Sequence, residues 1–143
     1  MYKKTIKYTD YNGQEREETF LFNLNKAEVI EMEVGEAGGY GEMLKHIIET
    51  KDGALIMKTF KDLILRSYGI KSPDGKQFMK SEEATKAFEQ SEAYSEFFVE
   101  ICTNTQEAIN FVTGVLPITD DVKKEAIKKA EESTKISELP SNT

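Results

Sequence analysis

A mainly helical α+β fold is predicted: an N-terminal two-stranded β-hairpin packed on a bundle of about five to six short helices, with a weakly anchored C-terminal helix and tail. Three observations carry that expectation. Alternating residues flank Tyr11-Asn12-Gly13, apolar stripes at helical spacing recur from Val29 to Leu116, and beyond Pro117 the apolar pattern thins into charge and then into a Ser, Thr, Pro and Asn tail.

The hairpin register follows from what each pairing buries. A two-residue Asn-Gly turn would put Ile6 and Tyr8 on one face and Phe20 and Phe22 on the other. A three-residue Tyr11-Asn12-Gly13 loop with Gly13 in the left-handed region gathers all four on one face. Tyr2 then opposes Phe22, Lys4 opposes Phe20 and Ile6 opposes Glu18, while Lys7 meets Glu17 and Thr5 meets Thr19 outside. A bare hairpin is marginal in water, so its apolar face is expected to lie on helices or to be completed by strands from another copy. Lys3, Lys7, Glu15 and Glu17 guard the edges against uncontrolled pairing.

Asn25 and Glu28 have capping-box spacing ahead of Val29, Ile30 and Met32, predicting a short helix. The stretch from Gly35 to Gly41 ends it. No Lys-Ser or Lys-Thr pair follows and no apolar strand precedes, so it reads as a connector and not as a phosphate loop. Met43, Leu44, Ile47 and Ile48 form one helical stripe; Ile56, Phe60, Leu63, Ile64 and Tyr68 form a second after Asp52-Gly53.

The stretch from Tyr68 to Lys80 reads as a structured elbow. Pro73 presets φ, Gly75 permits positive φ, and Ser72 and Asp74 can satisfy local backbone groups, leaving Tyr68 and Phe78 to tuck into the core. Ser81 caps a helix with Glu82 and Glu83 in its first turn and Ala84, Ala87 and Phe88 on its buried face. Ser91 caps the next, whose Tyr94, Phe97, Phe98, Ile101 and Cys102 make the cleanest stripe of the chain. Thr103 and Gln106 offer a further capping box before Ala108, Ile109, Val112, Val115 and Leu116.

Residues 1–117 are expected to form a single globular domain, hairpin 2–22 and helices 25–117, and residues 118–143 an amphipathic helix and flexible tail. At 143 residues and 38% hydrophobic content the chain can bury about two-thirds of its unfolded surface. The net charge of −7 opposes binding to nucleic acid and to anionic membranes, and no apolar run approaches the ~20 residues of a membrane span. Cys102 is the single cysteine, expected to pack as a small apolar side chain in a reducing cytoplasm.

Catalytic and metal chemistry finds no footing. His46, the only histidine, has no local Cys or acidic partner at a ligand or triad spacing. Glu28, Glu31 and Glu33, or Glu82 and Glu83, could be nominated for a carboxylate hydrolase, yet they fit solvated helix faces and first turns. Asp74-Gly75 lacks the oxygen ligands of a calcium loop. The rings lack the basic groove that a single-strand nucleic-acid platform needs. No catalytic residue, cofactor or metal site is expected, and an interaction protein is.

Tyr8-Thr9-Asp10-Tyr11-Asn12-Gly13, Phe22-Asn23-Leu24, Ser72-Pro73-Asp74-Gly75 and Phe111-Val112 carry a resemblance. Over residues 5 to 117 the chain resembles the small tail assembly chaperones of long-tailed bacteriophages and prophages. That resemblance implies a non-catalytic role: coating the long, helical tape measure protein in the host cytoplasm, then leaving as tail tube protein polymerises, so that the chaperone is absent from the mature virion. It implies the tape measure protein as partner, with tube protein and self-association as further contacts. Apolar residues of the C-terminal helix, Val122, Ala126, Ile127 and Ala130, are the candidate partner-binding residues, together with the exposed sides of the other helices. The alternative is a small tail or connector component retained in the particle.

Overall fold

The computed structural model describes residues 1–35 and 53–117. Strands β1 (Tyr2–Thr9) and β2 (Glu15–Phe22) pair antiparallel, with Tyr2 opposite Phe22, Lys4 opposite Phe20, Ile6 opposite Glu18 and Lys7 opposite Glu17. This is the register expected from burial. The loop between them has three residues: Gly13 takes φ +80° and its N–H donates to the Asp10 carbonyl at 2.9 Å. The Asp10 carboxylate accepts from the Asn12 and Gln14 N–H groups and from Arg16 at 2.6 Å, so one side chain closes the turn and anchors the strand that leaves it.

Helix α1 (Lys26–Gly35) starts at the expected box, with Glu28 N–H donating to Asn25 Oδ1 at 2.8 Å and Asn25 N–H to Glu28 Oε1 at 3.0 Å. Helix α2 (Gly53–Ser67) buries Phe60, Leu63 and Ile64. The stripe of Met43, Leu44, Ile47 and Ile48, the connector from Glu36 to Gly41, His46, and the C-terminal helix and tail lie outside the described residues.

The elbow departs from expectation. Tyr68 does not continue α2; it opens β3 (Tyr68–Lys71), which pairs with β4 (Phe78–Met79) through the Ser72–Gln77 turn. The turn chemistry is as predicted: Gly75 has φ +75°, and Asp74 Oδ1 accepts from Ser72 Oγ at 2.7 Å and from Lys76 N–H at 3.0 Å. β3 lies beside β2, with Leu21 opposite Gly69 and Phe22 opposite Tyr68, giving a four-stranded antiparallel sheet in the order β1-β2-β3-β4. The hairpin is therefore completed by the chain's own strands, and its need for cover gives no ground for inferring a second copy. Strands of four and two residues are too short to show a period of two, and a neighbouring strand with groups left to pair ends the helix: Asn23 N–H donates to the Ser67 carbonyl at 2.7 Å.

Three helices complete the described fold: α3 (Glu82–Glu89), α4 (Glu92–Thr103) and α5 (Thr105–Val115). Ser81 and Ser91 cap α3 and α4 as expected, Ser81 Oγ accepting from Ala84 N–H at 3.0 Å. The α5 cap is displaced by one residue from the predicted box. Asn104 accepts from Glu107 N–H at 3.1 Å, because α4 runs through Thr103, whose hydroxyl bonds back to the Val99 carbonyl at 2.7 Å.

The helices cover the sheet face formed by the even-numbered residues of β1 and β2. Phe97 is fully buried as predicted, but the hub of the core is Phe22, with ring centroids of Phe97, Phe111, Phe88, Tyr68 and Tyr2 at 5.1 to 6.2 Å. Burying a phenylalanine side chain contributes about 1.5–3 kcal/mol, so this aromatic cluster is the chief cohesive element joining hairpin to helices. Three expected core residues are placed elsewhere. Cys102 and Ala87 are exposed, each on a flank of its helix that no other described element covers. Phe78 belongs to the opposite sheet face, where its ring lies across Gly69.

Candidate interaction surface

Two half-buried charge contacts join the sheet to the helices. Lys4, on the inward face of β1, reaches Glu100 of α4 at 2.8 Å and Glu107 of α5 at 3.3 Å, and the Tyr2 hydroxyl donates to Glu107. Burial pulls the Lys4 ammonium down, but the Glu100 hydrogen bond and the two carboxylate charges outweigh it, so its pKa stands above the ordinary value. Burial, followed by the Glu107 hydrogen bond, pushes the Tyr2 phenol up strongly. The cluster is an ionic clasp between β1, α4 and α5. On the far side, Lys80 donates to Glu28 at 2.5 Å and to the Asn23 carbonyl at 2.7 Å, tying β4 to α1. Alternation on β1 places Lys4 inward, yet its partners come from helices about a hundred positions away and leave no local sequence signal.

Between α2 and α3 an open groove of about 520 Å³ is lined by Leu65, Arg66, Lys80, Thr85, Lys86 and Glu89. Its charges are mostly engaged. Arg66 pairs with Asp62 at 3.0 Å, Glu89 with Lys61 at 3.6 Å and Lys80 with Glu28.

The acids nominated from sequence take structural positions: Glu28 closes the α1 capping box, and Glu82 and Glu83 stand in the first turn of α3. Partial desolvation pushes the Cys102 thiol up, opposite to the activation of a nucleophile. No group of three or more His, Cys, Asp or Glu among the described residues could hold a metal ion. No helix among them is long and apolar enough to cross a membrane.

What this surface does offer is apolar exposure. Ile30 of α1, Met57 of α2 and Val99 of α4 stand 60%, 46% and 55% exposed on three different helices. Ile70 and Met79, cross-strand partners on the sheet face that carries Tyr68, are also exposed. The candidate residues Val122, Ala126, Ile127 and Ala130 lie outside the described residues.

A family model described as phage tail assembly chaperone matches residues 1–143. The chain belongs to that family. The match covers the whole chain, where the turns and core aromatics had suggested residues 5 to 117. No curated protein and no solved structure matches the chain. Family membership makes the protein a non-catalytic bacteriophage assembly factor whose partners are phage tail proteins. In this chaperone the matched turn motifs form the tips of the two hairpins, and Phe22 and Phe111 meet in the core at 5.7 Å.

Proposed function

We propose that this chaperone binds the phage tape measure protein and keeps it soluble during tail morphogenesis, in the host cytoplasm, without covalent chemistry. The observation that carries the reading is membership of the tail assembly chaperone family across the whole chain. Exposed apolar residues on several helices, set among charge, are consistent with a surface that shields another chain's apolar stripe and keeps the loaded complex soluble.

In this reading residues 1–117 form the carrier domain, and the 118–143 segment adds an amphipathic contact through Val122, Ala126, Ile127 and Ala130. Copies lined along one long client raise each other's effective concentration, so moderate contacts suffice. The arriving tube protein displaces the chaperone because it binds the client stripe more tightly.

Co-expression with the tape measure protein tests the assignment: the client should move from the insoluble to the soluble fraction and copurify with the chaperone. A client equally insoluble in its presence refutes the reading. Val122→Glu and Ile127→Glu together should weaken rescue while the thermal transition of the chaperone stays in place; full rescue would remove the C-terminal helix from the contact. Mass spectrometry of purified virions distinguishes departure from retention, since a displaced chaperone is far below stoichiometric there.

A further inference from the structure

Among the described residues no strand pairs with the outer edge of β1, and the hydrogen-bond phase identifies the groups that face outward. Asp10 N–H donates to the Gln14 carbonyl, so Asp10 and Gln14 form a hydrogen-bonded pair. Alternation then turns the backbone groups of Tyr8, Ile6, Lys4 and Tyr2 toward β2. The N–H and C=O groups of Lys3, Thr5, Lys7 and Thr9 point the other way. The bond from Asn23 N–H to the Ser67 carbonyl confirms the phase, since it turns the odd-numbered residues of β2 toward β3. All four outward residues of β1 are exposed, and among the described residues β1 has a strand neighbour on one side only.

On the outer sheet face this edge is cationic in an acidic chain. Lys3 makes no ion pair among the described residues, and Lys7 has only a 3.9 Å contact with Glu17. β2 shows what suits β1: an acid opposite Lys7, and Thr19 opposite Thr5 with the two hydroxyls bonded at 2.8 Å.

A second copy fits this edge poorly. Two β1 strands paired antiparallel about Thr5 would oppose Lys3 and Lys7 across the junction. The β2 of another copy already has β1 along one side and β3 at Leu21 and Phe22 on the other.

We propose that β1 accepts an acidic extended segment of a partner protein as a fifth strand, with its backbone bonded to Lys3, Thr5, Lys7 and Thr9 and its acids beside Lys3 and Lys7. The two lysines reject basic strands, and the stretch without a proline or bulge allows continuous pairing. This contact is independent of the helix-binding surface proposed above and would add to it.

The probe is a capped peptide of about eight residues, the length of β1, alternating Glu with Thr and Val; the control has Lys in place of Glu. In an NMR titration of the full chain, shifts and slowed amide exchange should concentrate at Lys3, Thr5, Lys7 and Thr9. The Lys3→Glu, Lys7→Glu double variant, checked for an unchanged thermal transition, should bind the acidic peptide roughly tenfold more weakly and should favour the Lys peptide instead. Thr5→Pro, which removes one outward N–H, should weaken both combinations. Absence of saturable binding, shifts centred away from β1, or equal affinity for the two peptides would overturn the proposal.

Discussion

Phe97→Ala probes the joint between sheet and helices. Phe97 is fully buried, and its ring meets Phe22 at 5.1 Å, Phe111 at 5.4 Å and Tyr2 at 6.1 Å, so the vacated volume is walled by three rings that belong to β1, β2 and α5. Aromatic side chains have few rotamers through which to fill such a void, which puts the loss at about 3–5 kcal/mol. A domain held by ~5–15 kcal/mol would give up a large share of its stability. Urea unfolding followed by far-UV circular dichroism measures it as a fall in the midpoint at unchanged slope. Val99→Ala, at a site 55% exposed on the same helix, is the control and should stay within about 0.5 kcal/mol of wild type. A loss below about 1.5 kcal/mol for Phe97→Ala would refute the placement of this ring at the sheet–helix joint.

Further expectations follow from single contacts. A Cβ on Gly69 would stand 2.6 Å from the Phe78 ring, so Gly69→Ala should destabilise by about 1–3 kcal/mol, and Phe78→Leu should relieve much of that loss in a double-mutant cycle; strict additivity would refute the contact. Gly75→Ala meets no atom but must hold φ +75°, so it should destabilise by about 1 kcal/mol in chemical denaturation while Lys76→Ala, its neighbour in the turn, does not. Tyr2 and Lys4 both have raised pKa values in the fold, so their contribution is complete below the ordinary values of 10.0 and 10.5 and is lost as pH rises through the folded ones. Denaturation midpoints should therefore fall above about pH 10. The fall should be smaller in Tyr2→Phe, and an identical pH profile in that variant would remove Tyr2 from the clasp.

The elements that showed in the sequence are those whose cause is local. Asn25 with Glu28, and Ser81 ahead of Glu82 and Glu83, mark helix starts because a side chain three residues from an orphan N–H can reach it. The hairpin register was legible because a slip of one residue would turn Ile6, Tyr8, Phe20 and Phe22 to different faces. Thr103 shows the limit: Thr103 and Gln106 have the right spacing, but α4 extends one turn position further and Asn104 takes the role. Cys102 likewise follows the stripe of α4 by spacing, yet is exposed, because no described element packs on that flank. Family membership was legible through the resemblance carried by turns and core aromatics, which the family match extends to the full chain.

Amino-acid order alone determined the hairpin, its loop, most helix caps, the aromatic stripe of α4 and the lack of a local catalytic spacing, because each depends on residues a few positions apart. Tertiary structure decided that Tyr68 leaves α2 to become a strand, that Phe78 lies on the opposite sheet face over Gly69, and that Lys4 is clasped by Glu100 and Glu107. Each of those outcomes requires a partner from far along the chain, and a backbone group or charge takes its final role only when folding brings that partner within bonding distance.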